Sequence, residues 1–429
     1  MAEVWSGIRW SPAYVAFLYY LAAIITYRLP GASFAAAACL TFLIVQPGQF
    51  RMAVPLWVLL AFVLWSGVTV ALSEYPAVSL DAWISMGKLF LISVMAYNAI
   101  RSREQLRFAM VTLALCFLLF PFRGAMVNYL SGYALFGRAI WNYVYANPND
   151  MAAFALLAAS IAASAGSLYR HRLLRVSLFL VALAFCVLVF FTQSRGAIVG
   201  LALAGGLFFV SSKRKLQMVV SAIAIGLAAA LFAPASVWNR LGGLRKVSTA
   251  EGMRGVDEEG SAEQRFQLAQ VAVAVIGSHP ITGIGVGAYR EAHAAQAAQM
   301  RAELPIAGGK RDAHNTILTV AAETGLPGLA LFLMMMATTI VGYRRGVAHV
   351  RGEEGQAPLR WTMLGLASFG FAGLFGSYAY LNMLYLQLMF MALLRVVQPN
   401  GALGRTGVQR AHRPVRPIPS HALPTAPIS

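Results

Sequence analysis

The chain has 429 residues, of which 59% are hydrophobic and only 12% are charged, and its mean hydropathy is +0.65. Because about a quarter of the residues of a soluble domain are charged, this composition excludes an ordinary soluble protein. A net charge of +18 would favour a nucleic-acid partner in a soluble protein. In a membrane protein, that charge must first be compared with the positions of the loops.

Apolar runs of roughly 17 to 25 residues recur along the chain, and each can cross a hydrocarbon core of about 30 Å as a helix. Helices are expected because lipid offers no hydrogen-bond partners, so a spanning segment must satisfy its backbone N–H and C=O groups within itself. We therefore predict an all-α polytopic membrane protein with about twelve spans, the first of them retained and not cleaved. The predicted spans are 13–28, 32–46, 53–72, 82–100, 106–122, 151–168, 173–192, 197–211, 216–234, 323–342, 361–378 and 380–397.

This span count predicts four regions. Residues 1–234 contain nine spans, residues 235–314 form one long outer loop, and residues 315–397 contain three more spans. Residues 398–429 are basic and rich in proline, which is typical of a disordered tail.

Basic residues support this topology. The connections on the side of the N-terminus contain Arg51, Arg101, Arg103, Arg107, Arg170, Arg172, Arg175, Lys213, Arg214, Lys215, Arg344, Arg345 and Arg351. The positive-inside rule therefore places both termini in the cytoplasm. The long outer loop is nearly neutral, with nine Lys or Arg and eight Asp or Glu, so we exclude nucleic acid as a partner.

The outer loop contains one predicted helix. Phe266, Ala269, Val273 and Ile276 recur at helical spacing until Pro280 ends the pattern. This predicts an amphipathic helix near the membrane surface with Arg265 in its first turn. The glycines of GIGVG that follow come after no predicted strand, so they give little support for a dinucleotide site.

Two further residues share that side of the membrane. Arg195 lies in the short turn between the seventh and eighth predicted spans, and His314 lies where the loop re-enters the membrane. Arginine binds phosphate through two parallel hydrogen bonds, and histidine exchanges a proton near neutral pH. The structural alternatives are a snorkelling arginine and a histidine that only caps or packs. Arg311, three residues before His314, is a further candidate for substrate binding.

Two segments have open interpretations. Lys88 lies within the fourth span, where it either pairs with Asp81 on the same helix face or binds an anionic headgroup or diphosphate. Asn147, Asn149 and Asp150 precede the sixth span and either bind a sugar or form a helix cap in an interfacial belt.

Glu323 is expected on the face opposite His314, in helix packing or capping. No DxD pair, HExxH or GK[ST] motif supports a metal or nucleotide site.

The sequence resembles the O-antigen ligase family, which shares a superfamily with O-antigen polymerases. The resemblance rests on SRG at 194–196, on the segment from Arg265 to HPITGIGVGAY, on HNTILTVAAETGLPGLALFL at 314–333, and on NPND at 147–150. It implies a GT-C-like glycosyltransferase of the bacterial inner membrane with its active site on the periplasmic face. Such an enzyme transfers a glycan from undecaprenyl diphosphate to lipid A-core oligosaccharide, without metal or cofactor.

By this resemblance, Arg195 and Arg265 match the family's donor-diphosphate arginines, and His314 matches its acceptor-activating or phosphate-binding histidine. Lys88 matches no family motif. The competing hypotheses are an O-antigen polymerase, a protein O-glycosylating relative, and a transporter or flippase for an anionic lipid. The chain has one large outer loop where polymerases often have two, and it shows no internal repeat of the kind that transporters have.

Overall fold

The computed structural model describes residues 7–45, 50–211, 215, 261–300, 308–350 and 352–397. In these ranges every regular element is helical, which confirms the predicted all-α class. The ninth predicted span, the first part of the outer loop up to residue 260, and the predicted tail at 398–429 lie outside the described residues.

Among the described residues before the outer loop there are nine α-helices. They are α1 (Pro12–Thr26), α2 (Ala32–Val45), α3 (Val54–Ala71), α4 (Pro76–Ala99), α5 (Arg103–Phe117), α6 (Arg123–Leu130), α7 (Pro148–Leu168), α8 (Arg172–Phe191) and α9 (Arg195–Ser211). A π-helical turn at Leu118–Phe122 joins α5 to α6 and contains Pro121. The wider turn accommodates the proline, which has no N–H for the helical ladder, so the fifth predicted span runs beyond its predicted end.

Five helices follow in the described part of the chain. They are α10 (Ser261–Ser278), α11 (Tyr289–Met300), α12 (Thr316–His349), α13 (Glu353–Ala372) and α14 (Asn382–Val396). Six helical segments among the described residues are long and apolar enough to cross a membrane: α3, α4, α5 with α6, α7, α8 and α12. Shorter apolar helices are α1, α2, α9 and α14. The multi-pass class is thus confirmed, whereas the number twelve stays a prediction.

The centre of the bundle is α7. In the most apolar stretch of this helix, 94% of the residues are buried, and the helix packs against α5, α8 and α13. The sequence of α7 is rich in alanine, which lets neighbouring helices approach closely. From α14, the buried Gln387 donates to Ser160 Oγ at 3.1 Å and to the Thr362 carbonyl at 2.8 Å, so a polar bond joins three helices at the core.

A smaller core lies at one end of the bundle. It contains Val271 and Val275 of α10, Tyr289 of α11, and Ala322 of α12. The turn between α10 and α11 docks on α12, because Ile284 N donates to Ala322 O and Gly285 N donates to Glu323 O, both at 3.0 Å. The described part of the outer loop, α10, α11 and the turn between them, is therefore fixed to α12.

A break in α12 makes this docking possible. Gly325 has φ 67° and ψ 179°, which interrupts the helix between Thr324 and Leu326. Leu326 N then donates to Pro280 O at 2.8 Å instead of to a carbonyl of its own helix. A Cβ at residue 325 would lie 2.0 Å from Ile281 O, so glycine is required both by the dihedral angle and by the contact.

Candidate functional site

Arg195 lies where the sequence places it, at the first residue of α9 after the turn Thr192–Ser194. Gln193 in that turn has φ 51°, a left-handed conformation. Two side-chain bonds hold the turn against the preceding loop: Arg138 Nε donates to Thr192 O at 2.8 Å, and Gln193 Nε2 donates to Gly137 O at 2.9 Å. The backbone that carries the Arg195 side chain is therefore held in place.

Arg265 is the fifth residue of α10, close to the predicted first turn, and its side chain is half-buried. Its guanidinium carbon lies 6.0 Å from the ring centroid of Phe375, at the distance of a cation–π contact. Phe375 also contacts the start of α9, because a Cβ added to Gly196 would lie 2.8 Å from Phe375 Cβ. Phe375 thus connects the Arg265 helix to the Arg195 helix.

The face of α10 that packs on the protein is not the apolar face on which the prediction of this helix rests. Leu268, Val271 and Val275 are buried, whereas Phe266 is 64% exposed and Val273 is 59% exposed. The helix therefore has a second apolar face in addition to its packed one. Its outer apolar residues suit contact with the membrane surface, which the predicted pattern could not separate from the core face.

His314 begins the re-entry into α12. It has φ 47°, and the next residue, Asn315, caps α12 by accepting bonds from Ile317 N at 2.9 Å and Leu318 N at 3.1 Å. Burial and the nearby charges of Arg265 and Arg311 lower the pKa of His314, and Asp312 acts in the opposite direction. Since the ordinary pKa is about 6.5, His314 is neutral at pH 7 and can accept a proton.

The segment between α13 and α14, residues 373–381, holds these parts together. Asn315 Nδ2 donates to Leu374 O at 3.2 Å, and Thr316 Oγ1 donates to Gly376 O at 2.7 Å while it accepts from Tyr378 N at 3.0 Å. The same segment contains Phe375. The start of α12 and the Arg265 contact are therefore positioned by one stretch of backbone.

Tyr378 links this segment to α7 and α9. Its buried hydroxyl donates to Asn149 O at 3.2 Å, bonds to the side chain of Ser194, and lies within the electrostatic influence of Asp150, Arg265 and Arg138. Burial raises the pKa of Tyr378, so the hydroxyl stays protonated and serves as a donor. The NPND segment is thereby brought to the same end of the molecule as the two arginines.

Within NPND, the residues have different surroundings. Asn147 accepts from Asn149 N at 2.8 Å and caps α7, as the structural interpretation predicted. Asn149 Oδ1 accepts from Arg138 Nη2 at 2.7 Å. Asp150 lies in the first turn of α7, close enough to Asp312 for the two charges to interact. The structure leaves a sugar-binding role for these three residues untested.

The remaining candidates lie at different distances from this cluster. Arg311 Nε donates to Gly308 O at 3.3 Å, and its charge acts on His314, so it belongs to the cluster. Lys88 lies on an exposed face of α4, about 18 Å along the helix from Pro76 at about 1.5 Å per residue. No ion pair joins Lys88 to Asp81 in the described residues.

Glu323 is buried and bonded away from His314. Its Oε2 accepts from Tyr380 Oη at 2.6 Å, its Oε1 accepts from Tyr289 N at 3.4 Å, and the carboxyl group also accepts from the backbone of Gly287. These donors come from the 373–381 segment and from the turn between α10 and α11. Glu323 therefore joins three parts of the chain, which agrees with the predicted role in packing and capping.

Three residues of the cluster were missed by the sequence analysis: Arg138, Phe375 and Tyr378. Arg138 lies in the loop between α6 and α7, where a lone arginine has no motif around it. The aromatic pair lies at the end of a predicted span, where aromatic residues are ordinary interfacial features. Phe375 and Tyr378 differ from such residues only in their contacts: Phe375 contacts Arg265, and Tyr378 bonds to Ser194.

The cluster is suited to bind an anion beside a proton acceptor. In the described part of the chain, Arg138, Arg265 and Arg311 lie in this cluster with Asp150 and Asp312, and the neutral His314 adjoins them. Arg195 lies at the start of the neighbouring α9. Guanidinium groups in a partly buried site stabilise negative charge more strongly than they do in water. Phosphate esters and diphosphates are the anions that fit a group of arginines best.

The fold and this ionic cluster define a multi-pass, all-helical membrane protein with a candidate anion site at one end of its bundle. The family model described as O-antigen ligase matches residues 179–333, a range that includes Arg195, Arg265 and His314. This match supports the resemblance of residues 179–333 to the O-antigen ligase family, which comprises membrane glycosyltransferase-like enzymes of the ligase and polymerase kinds. A comparison with curated proteins gave no match.

Proposed function

We propose that the chain is an O-antigen ligase, which transfers a glycan from undecaprenyl diphosphate to lipid A-core oligosaccharide on the periplasmic face of the inner membrane. The observation that carries the proposal is that Phe375 contacts both the guanidinium of Arg265 and the start of α9, where Arg195 lies, with His314 neutral beside Arg265. These residues come from three distant parts of the sequence, and the family match covers all three.

The proposed reaction is a single displacement. A hydroxyl oxygen of the acceptor attacks the anomeric carbon, the bond from that carbon to the donor diphosphate breaks, and the electron pair leaves with the diphosphate. Negative charge on the diphosphate increases in the transition state, so Arg195 and Arg265 lower the barrier more than they favour the bound donor. His314 accepts the hydroxyl proton, and the configuration at the anomeric carbon is inverted.

The structure supports a donor that arrives from the membrane. Phe266 and Val273 of α10 are exposed apolar residues on the helix that carries Arg265. A lipid-linked donor would place its chain in the bilayer and its diphosphate at the level of this helix. We assign Lys88 and Arg311 to contacts with the donor, and Asn149 and Asp150 to contacts with sugar hydroxyls, while Asn147 caps α7.

Transfer with purified components tests the proposal. The full chain is incubated with lipid-linked glycan and lipid A-core, and the product is analysed by gel mobility and mass spectrometry. A glycan joined to lipid A-core supports the ligase. Longer lipid-linked glycans without core modification would instead identify a polymerase, and movement of the intact donor between leaflets without a new bond would identify a flippase.

A further inference from the structure

A second group of arginines lies at the opposite end of the bundle. The helix α4 begins near the docked turn, where Ser73 Oγ donates to Ile284 O at 2.6 Å, and it ends 24 residues later beside Arg101. At about 1.5 Å per residue, the two ends of α4 are about 36 Å apart. The group around Arg101 is therefore separate from the candidate site around Arg265.

A cavity of about 250 Å³ opens at this end between the N-termini of α1 and α5. Its lining includes Arg9, Arg101, Ser11, Ser102, Leu43 and Trp10, and it contains no carboxylate among the described lining residues. Pockets for whole small molecules are typically about 300–1,000 Å³, so this cavity is suited to a headgroup-sized anion. The N-termini of two helices add partial positive charge at the same place.

Gln105 fixes the two segments that carry the arginines. Its buried side chain donates to Arg9 O at 2.6 Å, and its Oε1 accepts from Arg101 N at 2.6 Å and from Ser102 N at 3.1 Å. Tyr14 Oη in turn donates to Gln105 O at 2.7 Å. The cavity is therefore held open by a buried polar network and does not depend on mobile surface side chains.

Arg51 adds to the positive charge behind the cavity. Its Nη2 donates to Tyr97 O and Ile100 O, while Nε and Nη1 are buried without a hydrogen-bond partner. Burial and the charge of Arg51 hold the pKa of Arg101 at about 10, below its usual range. In the sequence from Asn98 to Gln105 the one carboxylate is Glu104, which lies beside Gly7. The described lining of the cavity thus contains two arginines and no carboxylate.

We propose that this cavity binds the phosphate of an anionic phospholipid, with Arg9 and Arg101 as the phosphate ligands. The apolar part of the lining favours a lipid over a free ion, because Leu43, Ala13 and Trp10 are among the lining residues and Trp10 is 49% exposed. Tryptophan in this position is typical of the headgroup level of a bilayer. Basic pockets between membrane helices recognise anionic headgroups in this way.

Native mass spectrometry of the purified, delipidated full chain tests the proposal. We expect phosphatidylglycerol to bind with one preferred site and phosphatidylcholine to bind roughly tenfold or more weakly. The double variant Arg9→Gln with Arg101→Gln should lose this preference. The matched control Arg172→Gln, an exposed arginine at the same end of the bundle, should keep it.

The source of the phosphate is tested in the same experiment. Inorganic phosphate at millimolar concentration should leave the bound phosphatidylglycerol in place; its displacement by inorganic phosphate would overturn the lipid proposal. Equal binding of the two lipids, or an unchanged preference in the double variant, would also overturn it. If the double variant does not fold, Arg101→Lys, which retains the charge, and Arg9→Gln alone are compared, and equal preference in both would reject the proposal. None of these measurements depends on glycan transfer.

Discussion

Arg265 is the residue on which the candidate site depends most. Its guanidinium lies over Phe375, and its charge acts on both His314 and Tyr378. A cation–π contact of this kind holds the guanidinium close to the ring.

The first prediction concerns this charge. We expect Arg265→Ala to reduce transfer on the order of 100-fold, because one charged contact in the transition state is lost. Arg265→Lys should restore little, since lysine cannot form the two parallel bonds of a guanidinium. Rates of transfer with the purified protein measure both variants. Arg172→Ala, far from the site, serves as the control, and equal loss in that variant would contradict the assignment.

The second prediction concerns the pH dependence of His314. Its pKa is lowered in the folded protein, so the neutral, proton-accepting form persists below the ordinary value of about 6.5. We expect the transfer rate to be constant near pH 7 and to fall only when the pH drops below about 6.5, as His314 becomes protonated. His314→Gln should abolish most activity and remove this acid limb from what remains. An unchanged acid limb in that variant would exclude His314 as the base.

At the scale of elements, the helices α9 and α12 meet at residues 373–381. The start of α12 bonds to this segment through Thr316, α9 packs on it through Gly196, and Glu323 of α12 accepts from Tyr380. Their relative positions depend on close backbone approach and on buried hydrogen bonds.

The third prediction uses the close approach. In Gly196→Ala, the new Cβ would lie 2.8 Å from Phe375 Cβ, so Phe375 must move from beneath Arg265 and transfer should fall. Gly206→Ala, on the same helix, has no described atom within 4 Å of its new Cβ. That control should keep full activity and gain up to about 1 kcal/mol of helix stability. Comparable activity of both variants would show that Phe375 has no part in placing Arg265.

The fourth prediction concerns the buried Glu323. Tyr380→Phe removes the 2.6 Å bond to Oε2, and we expect a loss of about 1–3 kcal/mol in stability. The thermal midpoint of the protein in detergent measures this loss. Tyr133→Phe is the matched control, because Tyr133 is 66% exposed and its hydroxyl forms no hydrogen bond with a described residue. Equal thermal midpoints for the two variants would mean that the Tyr380–Glu323 hydrogen bond does not stabilise the contact between α12 and residues 373–381.

The sequence could predict those elements whose signal is local. The turn before Arg195, the end of α10 at Pro280 and the position of His314 before α12 all follow from hydropathy, proline and glycine. The packed face of α10 could not be predicted, because Phe266 and Val273 share its helical period with residues that contact the protein. The break at Gly325 was also missed, since its cause is the carbonyl of Ile281, more than forty residues away.

At the scale of the molecule, the two ends of the bundle differ in charge and packing. One end has the arginine cluster, together with α10, α11 and the 373–381 segment. The other has the cavity between α1 and α5. The central helix α7 is buried along nearly its whole length, so it fixes the distance between the two ends. In the proposed topology, the first end faces the periplasm and the second faces the anionic cytoplasmic leaflet.

The most direct test of the account is transfer of glycan by the purified chain from an undecaprenyl-diphosphate donor to lipid A-core, measured with the wild type and with Arg265→Ala. We predict core-linked product with the wild type and a rate on the order of 100-fold lower with the variant at equal thermal stability. No core-linked product from the folded wild type, or the same rate from both proteins, would contradict the proposed function.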